Sequence, residues 1–183
     1  MITESKAEKC HRIFAYGSLM WRPDFAFEKS SLARISGYHR RLSVYSHHYR
    51  GTPEKLGLVL GLDQGGSCTG LVYDVAVERW QEVLAYVRKR ELITHVYREI
   101  VEPVLLIDHD ESVAAVTYVV DPTHIQFAPP MPHAEIAAKV KEAHGLAGSC
   151  LDYVWNTIMH LRSLGIYDEG LEALTEHLPP QAA

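Results

Sequence analysis

The chain has 183 residues, of which 47% are hydrophobic and 22% are charged, a composition typical of a globular domain and unlike that of disordered or fibrous proteins. Its 18 basic and 23 acidic residues give a formal net charge of -5, which argues against general nucleic-acid binding, because such proteins cluster basic residues to neutralise phosphates. We expect one domain over residues 1–183, with a core at about 12–166 between polar N-terminal and C-terminal tails.

The cysteines and the apolar segments suggest a cellular location. Cys10, Cys68 and Cys150 are widely spaced, odd in number and without a CxxC pair, so they predict neither a disulfide framework nor a zinc site. The chain starts without an apolar targeting segment, and no apolar stretch is long enough to cross a bilayer. We therefore expect a cytoplasmic protein with no membrane or nucleic-acid partner, and the sequence leaves its oligomeric state open.

Short runs with alternating or β-branched apolar residues dominate the first two thirds of the chain and predict strands. Turn signals separate several of them, for example at residues 50–53 and 63–67. The predicted strands cover residues 13–16, 33–38, 41–45, 58–62, 69–75, 96–104 and 113–120.

Helical periodicity predicts one helix among the strands, at residues 77–92, and two more in the last third of the chain, at 134–144 and 151–164. The later two each end at a glycine, and Ser149 with Asp152 predicts a capping box at the start of the last helix. The apolar face of the first helix consists of Trp80, Val83, Leu84 and Val87. These elements predict an α+β fold in which the strands curl into a small barrel covered by helices.

Glu91 is the most informative residue of the first helix. It lies eleven positions after Trp80, and a rotation of about 100° per residue places it within the apolar face, near the helix C-terminus. Burial and the negative end of the helix dipole both raise the pKa of a carboxyl group, and a raised pKa suits a proton shuttle near neutral pH. Alternatively, Glu91 is a buried structural residue that pairs with Arg40, Arg41 or Arg50.

The segment IFAYGSLMW at residues 13–21 predicts a strand that ends in a glycine turn formed by Tyr16, Gly17, Ser18 and Leu19. Consecutive backbone N–H groups at such a turn can bind a carboxylate or an oxyanion, and the glycine permits close approach. A simple tight turn explains the same residues. The sequence has no phosphate-loop or dinucleotide-binding motif.

Other reactive residue types give weaker patterns. Eleven histidines include a cluster within residues 39–48, but there is no HExxH motif. Cys68 has no identifiable partner base, and Cys150 lies at a helix start, where the dipole could lower its pKa but a small buried apolar role is commoner. The sequence therefore predicts no metal and no organic cofactor. Tyr97 follows Glu91 by six positions, where the chain re-enters the sheet, so its phenol could face the same cavity as Glu91 or could simply pack in the core.

Six segments, in order and in register over residues 12–166, together resemble the ChaC family of γ-glutamylcyclotransferases, and the bacterial branch more than the animal branch. The segments are YGSLMW (16–21), GYHRRL (37–42), RGTPEKLGLVLGL (50–62), GGSCTGLVYDV (65–75), YVRKREL (86–92, with Tyr97 following) and GSCLDYVWNTIMHLRSLGI (148–166). The chain departs from the animal branch after the glutamate, where that branch has Gly-Gly-Tyr-Arg and this chain has residues 92–98. We expect a different pocket lining beside Glu91.

The resemblance implies the cyclotransferase fold, a small mixed β-barrel with surrounding helices, and a glutathione-specific enzyme that releases 5-oxoproline and cysteinylglycine without consuming water. Glu91 matches the family's catalytic acid/base. The substrate-binding residues of the family match Tyr16, Gly17, Ser18, Leu19 and Tyr97. Two alternatives remain: a cyclotransferase for other γ-glutamyl amines or dipeptides, and a non-catalytic small-molecule-binding module.

Overall fold

Five strands close into a barrel in the order β1-β3-β2-β4-β5 in the computed structural model, which describes residues 5–180. The strands are β1 (Arg12–Ala15), β2 (Lys29–Ser46), β3 (Gly57–Asp74), β4 (Tyr97–Leu106) and β5 (Glu111–Val120), with a separate two-stranded sheet of β6 (His144–Gly145) and β7 (Gly148–Ser149). The helices are α1 (Trp80–Glu91), α2 (His133–Glu142), α3 (Cys150–Ser163) and α4 (Glu169–Thr175). The predicted α+β class with a small barrel is therefore confirmed.

The chain contains two compact units. Among the described residues, the first includes 5–39 together with Leu62–Asp121, and the second includes Arg40–Gly61 and 122–180. β2 and β3 each contribute residues to both units. The prediction of a single domain stays a prediction.

Backbone pairing in the first unit fixes the end of β1, where the predicted glycine turn begins. β1 is antiparallel to β3, with Ala15 opposite Leu71, and its pairing with β5 is parallel, which makes the barrel mixed. A Cβ atom at Gly70 would lie 2.2 Å from the carbonyl oxygen of Ala15, so only glycine allows β3 to approach β1 this closely. The buried Thr117 hydroxyl donates to the carbonyl oxygen of Phe14 at 3.0 Å and ties β5 to the same strand.

The structure merges strands that the sequence predicted as separate. Residues 33–38 and 41–45 both belong to β2, and residues 58–62 and 69–75 lie mostly within β3. Gly65 and Gly66 adopt positive φ angles of 99° and 68° inside β3, so the predicted turn at 63–67 is an exposed part of a continuous strand. Glycine can take this conformation without a steric penalty, so the signal for a turn is the same as that for a bend within a paired strand.

The second unit confirms some of the predicted helix ends. The Ser149 side chain accepts a hydrogen bond from the Asp152 N–H at 3.2 Å and caps α3, and Gly165, at φ 69°, follows the end of that helix. The predicted stop of α2 at Gly145 is wrong, because the helix ends at Glu142 and Gly145 pairs with Gly148 in the two-stranded sheet.

The described parts of the two tails differ from the polar tails that the sequence predicted. α4 lies beyond residue 166 and buries Leu171 and Leu174, and the Trp80 indole N–H donates to the carbonyl oxygen of Ala7 at 3.0 Å. A helix of seven residues is too short for its apolar periodicity to stand out from the sequence. Residues 1–4 and 181–183 lie outside the described part of the chain. No helix between residues 5 and 180 combines the length and apolar character needed to cross a bilayer.

Candidate active site

The predicted glycine turn is present directly after β1. Ser18–Met20 form a single 3-10 turn, in which the Met20 N–H donates to the Gly17 carbonyl oxygen at 2.8 Å and the Arg22 N–H donates to that of Ser18 at 2.9 Å. The turn's own hydrogen bonds thus begin with the N–H of Met20. The N–H groups of Gly17, Ser18 and Leu19 take no part in them and form a consecutive row of donors, as expected at the start of a helical turn.

A buried tyrosine on β3 holds the carbonyl side of this turn. The Tyr73 hydroxyl lies 3.1 Å from the carbonyl oxygen of Leu19 and 2.9 Å from that of Met20, and donates toward them. The rings of Phe25 and Phe27 pack against the Tyr73 ring at centroid distances of 5.6 and 4.7 Å. Burial raises the pKa of Tyr73 to about 12, so the phenol stays protonated and remains a donor near neutral pH.

Glu91 is the last residue of α1, and its side chain is 17% exposed. Burial raises the pKa of its carboxyl group, while the positive charge of Arg90, whose Nε lies 3.4 Å from Glu91 Oε1, partly opposes that rise. The predicted direction of the shift is confirmed. Among residues 5–180 the Glu91 carboxylate accepts no hydrogen bond, so both of its oxygens keep their capacity to accept one.

Arg90 joins the glycine turn to Glu91. Its Nη2 donates to Ser18 Oγ at 3.0 Å and its Nη1 donates to the carbonyl oxygen of Arg22 at 2.7 Å, while its Nε faces Glu91. The alternative interpretation of Glu91 expected an arginine partner from residues 40–50, and the structure pairs it with its sequence neighbour. The sequence patterns did not single out Arg90, and its position next to Glu91 was the one available signal.

A cavity of about 370 Å³ adjoins Arg90. Asp24 and Tyr86 line it, and Arg90 Nη1 lies 3.4 Å from Asp24 Oδ2 and 3.3 Å from the Tyr86 hydroxyl. Its other walls are Phe25, Ala26 and residues at the start of α1. None of the predicted site residues lines this cavity.

A second carboxylate in the first unit, that of Glu99, accepts hydrogen bonds through both oxygens. Arg88 Nε and Nη2 donate to the two oxygens of Glu99 at 2.8 and 2.7 Å, and the Tyr118 hydroxyl donates to Glu99 Oε2 at 3.0 Å. Burial, the charge and hydrogen bond of Glu99 and the charge of Glu91 all raise the pKa of Tyr118, so its phenol stays protonated. Sequence reasoning missed this network, because its members come from α1, β4 and β5.

Tyr97 begins β4, where it pairs with Val120 of β5, and its side chain is half-buried. The structure gives the position of Tyr97 in the barrel, while the contact of its phenol with a substrate stays a prediction. The same holds for the substrate-binding role of Tyr16, which is buried directly after β1.

The remaining reactive residue types form no competing centre within the described residues. No group of three or more His, Cys, Asp or Glu side chains between residues 5 and 180 could hold a metal ion. The Cys150 thiol donates to the carbonyl oxygen of Leu58 at 3.2 Å, and burial raises its pKa to about 11, which keeps it protonated and unsuited to nucleophilic attack.

Comparisons with known proteins show which family the chain resembles. The model of the ChaC-like protein family matches residues 11–180. The glutathione-specific gamma-glutamylcyclotransferase of Escherichia coli strain K12 is 33% identical over 165 residues, covering 88% of this chain and 70% of the relative. The mouse glutathione-specific gamma-glutamylcyclotransferase 1 is 31% identical over 171 residues, covering 90% of this chain and 76% of the relative.

A solved structure shares the fold. The crystal structure of a yeast gamma-glutamyl cyclotransferase specific to glutathione matches with a TM-score of 0.83 at 22% identity, covering 91% of this chain and 94% of that chain. This likeness confirms the expected cyclotransferase fold. With the family match over nearly its whole length, the chain belongs to the ChaC-like family.

Proposed function

We propose that this chain is a glutathione-specific γ-glutamylcyclotransferase, an enzyme that converts glutathione to 5-oxoproline and cysteinylglycine. The observation that carries the proposal is the Glu91 carboxylate, which is largely buried, has a raised pKa and accepts no hydrogen bond within residues 5–180, beside a turn with a row of backbone donors. The names of the Escherichia coli and mouse relatives support the same activity and substrate.

The γ-glutamyl group carries its own nucleophile. Its α-amine attacks the γ-carbonyl carbon and closes a five-membered lactam, while the amide bond to the cysteine nitrogen breaks, so no water is consumed. Well-oriented intramolecular attack reaches effective molarities on the order of 10⁵ to 10⁸ M, so holding the substrate in a folded conformer supplies much of the acceleration. Ser18 is therefore a binding residue and not a nucleophile.

Glu91 moves the proton that this reaction has to transfer. The α-amine is an ammonium near neutral pH and must lose a proton before it attacks, and the departing cysteinylglycine amine must gain one. A carboxylate with a raised pKa accepts the first proton and donates it to the leaving group, a contribution typically of about 10² to 10⁴ in rate.

The glycine turn supplies fixed dipoles. The N–H groups of Gly17, Ser18 and Leu19 bind the glutamyl carboxylate or the oxygen on which negative charge develops, and each oxyanion donor contributes about 10² to 10³ in rate. Tyr73 holds the turn rigid from its carbonyl side, so little reorganisation is needed when the charge develops. Tyr97 is the predicted side-chain contact to the substrate.

A donor panel tests the proposal. The purified protein is incubated with reduced glutathione or γ-glutamylalanine, and 5-oxoproline and the released amine are measured by chromatography. We expect equimolar 5-oxoproline and cysteinylglycine from glutathione. Turnover of γ-glutamylalanine alone would assign a different donor, and saturable binding of glutathione without turnover would identify a binding module.

We further infer that the protein works in the cytoplasm. The three cysteines form no disulfide in the described structure, which suits a reducing compartment. Cell fractionation with an antibody against the native chain tests this, and recovery in an oxidising compartment would contradict it.

A further inference from the structure

We propose that Arg90 is a positioning residue that couples the glycine turn to Glu91: its guanidinium fixes the turn that binds the substrate and keeps a positive charge against the carboxylate that moves the proton. This inference rests on the proposed function and adds to it a residue that the family resemblance did not assign.

All three nitrogens of the Arg90 guanidinium face a partner. Nη2 donates to Ser18 Oγ at 3.0 Å, Nη1 donates to the carbonyl oxygen of Arg22 at 2.7 Å, and Nε lies 3.4 Å from Glu91 Oε1. The side chain is only 22% exposed. Because the guanidinium is planar, fixing two of its edges against the turn also fixes the third toward Glu91, which a lysine ammonium cannot reproduce.

The charged and titratable groups around Glu91 show that Arg90 is the cation facing its carboxylate. The Glu91 carboxylate contacts Arg90 on α1 and interacts electrostatically with the phenol of Tyr118 on β5, which stays protonated. Arg88, three residues before Glu91 on α1, donates two hydrogen bonds to Glu99. On its other side, Arg90 faces the carboxylate of Asp24 at 3.4 Å and the hydroxyl of Tyr86 at 3.3 Å. In the described part of the first unit, Arg90 is therefore the one cation in contact with the Glu91 carboxylate.

Two effects with different signatures follow from this geometry. Loss of the charge leaves burial unopposed, so the pKa of Glu91 rises further and the acid limb of the kcat/KM profile moves to higher pH. Loss of the planar guanidinium loosens the turn and raises KM. Arg90→Lys keeps the charge and loses the planar group, whereas Arg90→Met loses both.

The experiment measures kcat, KM and the pH profile with glutathione for wild type, Arg90→Lys and Arg90→Met. Lys89→Met is the matched control, because it removes one positive charge from the exposed neighbouring position of α1. We expect about a tenfold rise in KM for both Arg90 variants, in line with a lost hydrogen bond to a charged group, and an upward shift of the acid limb for Arg90→Met only. Lys89→Met should match wild type within about twofold.

Ser18→Ala, alone and combined with Arg90→Lys, tests the coupling without removing the charge. If Arg90 acts through Ser18, the effects on KM are not additive, whereas independent roles give additive effects. This cycle and Arg90→Lys decide the outcome if Arg90→Met does not fold. Additive effects, or Arg90 variants that match Lys89→Met in both KM and pH profile, would overturn the proposal.

A readout without turnover separates this inference from the proposed function. The carboxyl ¹³C resonance of Glu91, assigned by its absence in Glu91→Gln, is titrated in wild type and in Arg90→Met or, if that variant does not fold, in Arg90→Lys. A higher titration midpoint in Arg90→Met supports the electrostatic role even if no γ-glutamyl donor is turned over. An unchanged midpoint in Arg90→Met contradicts that role even if the enzyme is active. In Arg90→Lys, which keeps the charge, the midpoint should stay close to that of wild type, and a large rise would contradict the electrostatic role.

Discussion

Glu91 in the first unit and Asp168 in the second are both carboxylates at a helix end that contact an arginine, but their hydrogen bonding differs. Asp168 caps α4: its Oδ1 accepts from the Leu171 N–H at 3.1 Å and its Oδ2 accepts from Arg40 Nη1 at 2.7 Å. Glu91 lies at the C-terminus of α1 with Arg90 at 3.4 Å, and within residues 5–180 it accepts no hydrogen bond.

The difference separates a carboxylate that is hydrogen-bonded through both oxygens from one that is not. A carboxylate at a helix N-terminus is favoured by the helix dipole and by backbone donors, whereas one at a C-terminus meets the negative end of the dipole. Both oxygens of Asp168 accept hydrogen bonds from other residues of the chain, whereas the Glu91 carboxylate accepts none within residues 5–180. Proximity to an arginine therefore does not distinguish the two carboxylates, and the catalytic role that we propose for Glu91 depends on its burial without hydrogen bonds.

Replacement of Glu91 should have the largest effect. Glu91→Gln keeps the shape of the side chain but cannot accept and return a proton, so we expect kcat for 5-oxoproline release to fall by at least about 10². Glu82→Gln, an exposed position on the same helix, is the control and should stay within about twofold of wild type. A Glu91→Gln enzyme that retains more than a few per cent of activity would remove Glu91 from the mechanism.

Replacement of Asp168 should reduce stability instead. Asp168→Ala removes the cap of α4 and one partner of the Arg40 guanidinium, whose side chain is 1% exposed, so we expect a loss of about 3 kcal/mol in the free energy of unfolding. Glu169→Ala, at the exposed next position, should cost less than about 0.5 kcal/mol. Urea unfolding measures both. Equal losses in the two variants would contradict a structural role specific to Asp168.

The direction in which stability changes with pH should report the raised pKa of Glu91. Because the folded state raises the pKa of Glu91 above its ordinary value of 4.5, the folded protein holds this proton more tightly than the unfolded chain. Its contribution to stability is complete below pH 4.5 and is lost as the pH rises through the folded pKa. Glu91→Gln should therefore unfold at a higher temperature than wild type at pH 8, and the difference should vanish near pH 4. A difference that grows toward acid would contradict the raised pKa.

Local sequence features predicted the parts of the site that depend on neighbouring residues. The helical period placed Glu91 on the buried face at the end of α1, and the glycine after an apolar run placed the turn at residues 16–19. The Ser149 cap was likewise readable, because its partner lies three positions away. Each of these signals spans a few residues, and the backbone geometry of one element is enough to interpret it.

The parts that the sequence did not predict join distant positions. The Arg90 contact with Ser18 spans 72 residues, and the Tyr73 contact with Leu19 spans 54. Such contacts depend on how the strands close the barrel, and that register cannot be read from the local pattern of any one segment. The same reason explains why the sequence patterns did not single out Arg90.

The smallest effect is expected at Tyr97, where the substitution tests whether side chains or the backbone hold the substrate. Tyr97→Phe removes one hydroxyl from a half-buried position at the start of β4, so we expect kcat/KM for glutathione to fall about threefold to tenfold, the value of one hydrogen bond. Tyr167→Phe, at a position that is largely exposed, serves as the control and should have no effect. If Tyr97→Phe is also neutral, its phenol does not touch the substrate, and the glutamyl group is held mainly by the backbone N–H groups of residues 17–19. The rigidity of the turn, which Tyr73 holds from its carbonyl side, would then decide how well the glutamyl group is bound.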